Sequence, residues 1–137
     1  MKRMLLENVQ VAPYTSGGAI DREGFISAIL GIQLGAPTGT PTGIAVKVVL
    51  TECDTESGDY TPVADKLVVL DKITDDAGAV TIEADPAGNQ LLNVDLDLVG
   101  CKRYIKATVS QSYTGGSSPS VTATCALALG DAREEPV

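Results

Sequence analysis

The sequence predicts an all-β domain, an antiparallel β-sandwich with a small β-barrel as the alternative and extended arms at both ends. Three observations predict it. Apolar side chains recur at every second position through most of the chain. Turn sequences rich in glycine, proline and aspartate separate these runs at short intervals. No segment keeps a convincing helical period. The composition agrees, with 137 residues that include 14 glycines, seven prolines, four tyrosines, one phenylalanine and no tryptophan.

The runs fall in order along the chain. Phe25 to Leu34 is almost uniformly apolar, as expected of a central strand covered on both faces. Ile44, Val46, Val48 and Leu50 form one face of the next strand, with Lys47 and Thr51 on the other. Leu67 to Ile73 is a second uniformly apolar run and reads as a strand, and Val80 and Ile82 alternate with Thr81 and Glu83. Leu92, Val94, Leu96 and Leu98 alternate with Asn93, Asp95 and Asp97, a half-buried strand with an acidic outer side that keeps the chain soluble. Ile105, Ala107 and Val109 begin a strand that runs on towards Tyr113, and Val121 to Leu129 forms the last. Between them lie the turns 36–43, 54–59, 75–78, 85–89 and 114–119. Seven or eight strands of this kind suit two facing sheets.

One domain is the natural count at this length. Residues 1–24 and 131–137 carry less pattern than the centre. They are therefore expected to be an N-terminal arm and a C-terminal tail around a sandwich of residues 25–130. Arg3 to Val11 is read as extended rather than helical.

Charge and chemistry exclude several functions. Ten basic against 18 acidic side chains leave a net charge of −8, which disfavours nucleic-acid binding through phosphate neutralisation. Without histidine there is no Ser-His-Asp or Cys-His catalysis and no histidine metal site. The apolar stretch after Lys2 and Arg3 stops at Glu7, too early for a signal peptide. No segment approaches the ~18 apolar residues of a membrane helix. Synthesis in the cytoplasm is expected, with no membrane partner. Cys53, Cys101 and Cys125 form no C-x-x-C pair, and Cys125 alternates with apolar neighbours. Buried free thiols are expected in a reducing compartment.

Two groups of residues invite a site. Asp54, Glu56 and Asp59, with Glu52 nearby, are the weak metal candidates, since hard cations want several oxygens. The EF-hand order is missing, however, and Ser57-Gly58-Asp59 is ordinary hairpin chemistry. The glycines between Gly35 and Gly43 lack the lysine and the following helix of a phosphate-binding loop. Neither an enzyme, nor a cofactor, nor a small-molecule substrate is expected.

The C-terminal two-thirds of the chain resembles small all-β virion proteins of tailed bacteriophages, of the head-decoration type. The resemblance rests on the strand and acidic hairpin from Val46 to Val63, on Val94 to Lys106, on the strand reaching Tyr113-Thr-Gly-Gly116, and on Ala126 to Val137. It implies a structural component of a tailed-phage virion, a decoration (cement) protein that binds the outer surface of the head and stabilises it. The implied partners are the major capsid protein and copies of the chain itself. A head–tail connector or tail protein is the nearest alternative. Weakly patterned arms could order on a neighbouring subunit. The expected contacts are therefore Lys2, Arg3, Leu5, Leu6, Val9, Val11 and Tyr14 in the arm, and Arg133, Pro136 and Val137 in the tail. A reading of a different class is a carbohydrate- or cell-surface-binding module, with Tyr14, Tyr60 and Tyr113 as contacts.

Overall fold

A computed structural model of the chain describes residues 9–132. It is all-β, with two antiparallel sheets packed as a sandwich. The described residues form nine strands: β1 (Gln10–Tyr14), β2 (Ala19–Asp21), β3 (Phe25–Leu34), β4 (Gly43–Cys53), β5 (Thr61–Pro62), β6 (Ala79–Ala84), β7 (Gln90–Asp97), β8 (Tyr104–Thr114) and β9 (Ala123–Ala132). Sheet A has the order β1-β9-β3-β7. Sheet B has the order β2-β8-β4, with β5 and β6 sharing the far edge of β4.

The alternation seen in the sequence puts one face of each sheet into a common interior. Ile44, Val46, Val48 and Leu50 of β4 are fully buried, and so are Leu30, Ile32 and Leu34 of β3. They join Val94, Leu96 and Leu98 from the β7 side and Ile105 and Ala107 of β8 in one continuous apolar cluster. Burying a side chain of this size contributes about 1.5–3 kcal/mol, and the cluster is the main source of stability. β3 lies between β9 and β7 by pairing, but only one of its faces is covered. Ile29 and Gln33 point outward and are exposed. A two-layer structure has no third layer to cover them.

Leu67 to Ile73 is not a strand. Asp65 starts a tight turn there, accepting the Leu67 amide on Oδ1 and the Val68 amide on its carbonyl. Val68 and Val69 are buried in succession while Leu67, Leu70 and Ile73 stay exposed. The segment touches β7 through a single bridge, Val69 to Leu96. A short apolar run carries no period by which a strand and a buried turn can be told apart.

The N-terminal boundary also moves. The described part of the expected arm, residues 9–24, is built into the sandwich: β1 pairs with β9, and β2 pairs with β8. Ile20 is buried and Tyr14 half-buried. Four of the five β1 side chains face solvent, so the strand has no apolar period to show. At the other end β9 runs on to Ala132, and residues 133–137 lie outside the described chain. Edges are blunted in recognisable ways. β1 carries Pro13, β2 and β5 are very short, and the 65–73 segment covers part of β7 by bonds from the Leu70 amide to Asp95 O and from the Asp97 amide to Val68 O. Gly78 ends the turn before β6 at φ +78°, where a Cβ would run into Leu50 O.

If residues 19–21 are part of the body, Ile20→Ala lowers stability by about 1–3 kcal/mol. Val11→Ala, at a position 71% exposed, changes it by less than about 0.5 kcal/mol. Urea unfolding of the two variants measures both.

Candidate docking surfaces

The polar side chains that sequence alone would offer to chemistry are engaged in holding the backbone. Glu52, at the inward end of β4, is 3% exposed. Its Oε2 accepts the Ala64 amide at 3.0 Å and its Oε1 accepts the Lys102 amide at 2.9 Å. One carboxylate thus ties the β5 connection to the turn between β7 and β8. Arg22 holds the same turn from the other side, its Nε donating to Cys101 O at 3.0 Å and to Lys102 O at 2.9 Å. Burial, reinforced by the neighbouring Glu52 carboxylate, pushes the Cys101 thiol up to about 12. It is an inert, protonated thiol at neutral pH.

Tyr14 and Tyr113 act in the same way. The Tyr14 hydroxyl donates to Gly18 O at 2.6 Å and accepts the Ala107 amide at 3.0 Å, pinning the crossing from β1 to β2 onto β8. Burial raises its pKa. The Tyr113 hydroxyl accepts the Val121 amide at 2.9 Å, fastening the segment that leads into β9. Tyr60 instead lies beneath Lys106, whose Nζ sits 4.1 Å from the ring centroid. The three tyrosines of the carbohydrate reading therefore serve different local tasks. A shared stacking platform would need their rings free on one surface.

Asp54, Glu56 and Asp59 are exposed in the loop between β4 and β5. That loop closes on its own backbone, with the Gly58 amide on Thr55 O and the Tyr60 hydroxyl donating to Glu56 O. Among the described residues, no group of three or more Cys, Asp or Glu side chains is placed to hold a metal ion. A cleft of about 540 Å³ opens where β1 ends, lined by Tyr14, Ser16, Gln111, Thr124 and Cys125 among others. Burial raises both the Tyr14 and the Cys125 pKa, so the cleft offers no base at neutral pH.

The outer faces of the two sheets differ in chemistry. On sheet B, Lys47, Thr81, Glu83, Thr108, Ser110 and Ser112 are exposed, and Arg103 joins Asp21 at 2.9 Å and Glu23 at 2.7 Å. On sheet A, register places Val11, Ala128, Ile29 and Asp95 in one cross-strand row. The next row is Pro13, Ala126, Gly31 and Asn93. Small residues in the middle strands leave this face flat and apolar, with carboxylates along the β7 side. At one end it deepens into a groove of about 510 Å³ between Ile26, Ile29, Leu70 and Val99, with Asp95 and Asp97 beside it.

Of the contact residues expected from sequence, Val11 lies on this face and is 71% exposed, and Val9 precedes it half-buried. Tyr14 is half-buried, its hydroxyl bonded to Gly18 O and to the Ala107 amide of β8. Lys2, Arg3, Leu5, Leu6, Arg133, Pro136 and Val137 lie outside the described residues. The groove was missed at the sequence level. Its signal was the apolar residues Ile29 and Leu70, read as parts of strands, and Val99, which no strand claimed.

No family model, curated protein or solved structure matches the chain.

Two measurements test the internal bonds. Glu52→Ala leaves two buried amides without their acceptor and costs about 2–4 kcal/mol, read from the urea midpoint. The Asp21 carboxyl is held below its ordinary value chiefly by its hydrogen bonds from Arg103. A lowered carboxyl pKa contributes stability that is fully present above the unfolded value, 3.8, and is lost as pH falls through the folded one. Asp21→Asn is therefore less stable than the parent at neutral pH by about 0.2–1 kcal/mol, the range for exposed pairs. The difference closes below pH 3.8 in paired thermal melts.

Proposed function

We propose that the chain is a structural component of a tailed-phage virion. Decoration of the outer head surface, where it would stabilise the shell, is preferred over a connector or tail position. Its partners in this reading are the major capsid protein and other copies of itself, within the assembled virion. It has no catalytic role and no cofactor.

One observation carries the reading from the side of the fold: a flat, largely apolar outer face on sheet A beside a polar outer face on sheet B. A subunit that attaches to a shell needs one surface to bury and another to leave in water. The buried and half-buried polar groups support the same reading, because Glu52, Arg22, Tyr14 and Tyr113 are spent on bonds to the backbone. The resemblance of residues 25–137 to head-decoration proteins supplies the virion context. The net charge of −8 keeps unassembled subunits apart, and repetition on a shell multiplies a weak contact when copies also touch one another.

Co-sedimentation of the purified chain with mature heads of the phage whose genome encodes it tests the reading. Saturable binding to the head is expected, and Ile29→Asp on the sheet A face should lower the copies bound by at least about tenfold, equivalent to the loss of about 1.4 kcal/mol. Absence from heads, with binding to tails or connectors, would move the protein to the alternative position. Binding to a glycan array without binding to any particle would overturn the reading in favour of the carbohydrate module.

A further inference from the structure

Most strand edges of the sandwich are guarded, and one is left open. β1 carries Pro13, β2 and β5 are short, and the 65–73 segment lies against β7. β6 carries Glu83, and its first residue is met by the Asp75 carboxylate, which accepts the Ala79 amide at 3.0 Å. β8 differs from all of these. β2 pairs with it only from Tyr104 to Lys106, although β8 runs on to Thr114.

Alternate residues of an antiparallel strand turn their amide and carbonyl to one neighbour or to the other. Ala107 and Val109 turn theirs away from β4. The Ala107 carbonyl accepts the Gly17 amide at 2.8 Å, and its amide donates to the Tyr14 hydroxyl at 3.0 Å. The Val109 amide donates to Ser16 Oγ at 2.8 Å. Gln111 and Tyr113 follow in the same phase, and among the described residues nothing meets their outward amides and carbonyls. The approach to them is clear. After Thr114 the chain turns towards residues 39–42, the Ser117 amide donating to Gly39 O at 2.8 Å, and so away from this edge.

The open edge lacks the charges and prolines that usually discourage pairing. From Ala107 to Thr114 it has neither, and Ser110, Ser112 and Thr114 are exposed on the outer face of sheet B. Such an edge is complementary to itself. Set antiparallel to a second copy about a two-fold axis at Ser112, Gln111 lies opposite Tyr113 of the second copy, and Tyr113 opposite its Gln111. Each of these two pairs exchanges two hydrogen bonds, which satisfies every open amide and carbonyl on both edges. On the outer face Ser112 meets Ser112 and Ser110 meets Thr114, hydroxyl pairs of a kind that favours strand pairing.

We infer that β8 is a contact between two copies of this chain, joined edge to edge at Gln111 and Tyr113 so that sheet B runs continuously through the pair. The pairing leaves the outer face of sheet A open and does not rest on the virion reading. A contact this short falls at the small end for protein pairs, so the dimer is weak and concentration-dependent. The net charge of −8 on each copy opposes it at long range, and added salt screens that repulsion.

Analytical ultracentrifugation of the full chain over a concentration series tests this. A monomer–dimer equilibrium that tightens as salt is added is expected. Gln111→Pro removes both Gln111 amides from the contact and no bond within the subunit, and should weaken the dimer at least about fivefold. Ser112→Lys sets two ammonium groups against each other at the axis and should also weaken it. Thr81→Lys, exposed on β6 of the same sheet, should not. Unchanged urea midpoints show that the variants are folded. Oxidation then reads the register, in a chain already carrying Cys53→Ser and Cys125→Ala. Ser112→Cys should give a disulfide-linked dimer, since residues facing each other at the axis lie about 4.5 Å apart, and Ser110→Cys should not. A chain that stays monomeric up to millimolar concentration would overturn the inference. So would a dimer that Gln111→Pro and Ser112→Lys leave intact, or equal cross-linking through positions 110 and 112.

Discussion

The apolar faces of β3 and β4 close against one another, and the rest of the molecule is arranged by that contact. Each is the longest or nearly the longest strand of its sheet and is flanked by partners on both sides. Leu30, Ile32 and Leu34 on one, with Ile44, Val46, Val48 and Leu50 on the other, make the space between them apolar. β7 and β9 pair with β3, β5, β6 and β8 pair with β4, and β1 and β2 are added one strand further out, on β9 and β8. A slip of one residue in either would turn a whole apolar face to water. That penalty makes the alternation along the chain binding on the fold.

The connections obey a second constraint, that buried amides need acceptors. Three of the chain's potentially reactive groups meet it. Glu52 takes two amides, Tyr14 one amide and one carbonyl, and Tyr113 one amide. Each joins segments far apart in sequence or fastens the entry to a strand. Other carboxylates are exposed, Asp54, Glu56 and Asp59 on a loop and Asp95 and Asp97 on strand β7. The molecule's distinctive chemistry is consequently spread over its surfaces, in the contrast between a polar sheet B and a flat, apolar sheet A with acidic residues along β7.

Much of this was legible in the residues and some was not, for physical reasons. Alternation is a property of half-buried strands, so β4, β7, β8 and β9 could be read directly. β3 was legible as a strand but not as one with an open face, because Ile29 and Gly31 look interior until the number of layers is known. Edge strands such as β1 bury little and show no period. Leu67 to Ile73 carries the composition of a strand yet turns at Asp65, since a few apolar residues in succession are compatible with either conformation.

The sequence by itself determined the all-β class, the inward sets of side chains and the absence of any histidine-based chemistry, because these follow from local period and residue type. Tertiary structure alone decided that residues 10–21 belong to the body and that Tyr14 points to β8. It also decided that Ile29, Leu70 and Val99, distant in the chain, share one groove with Asp95 and Asp97. Such groupings depend on which strands pair across the sheet. Pairing is settled by the collective burial of both sheets and leaves no mark in any single stretch of residues.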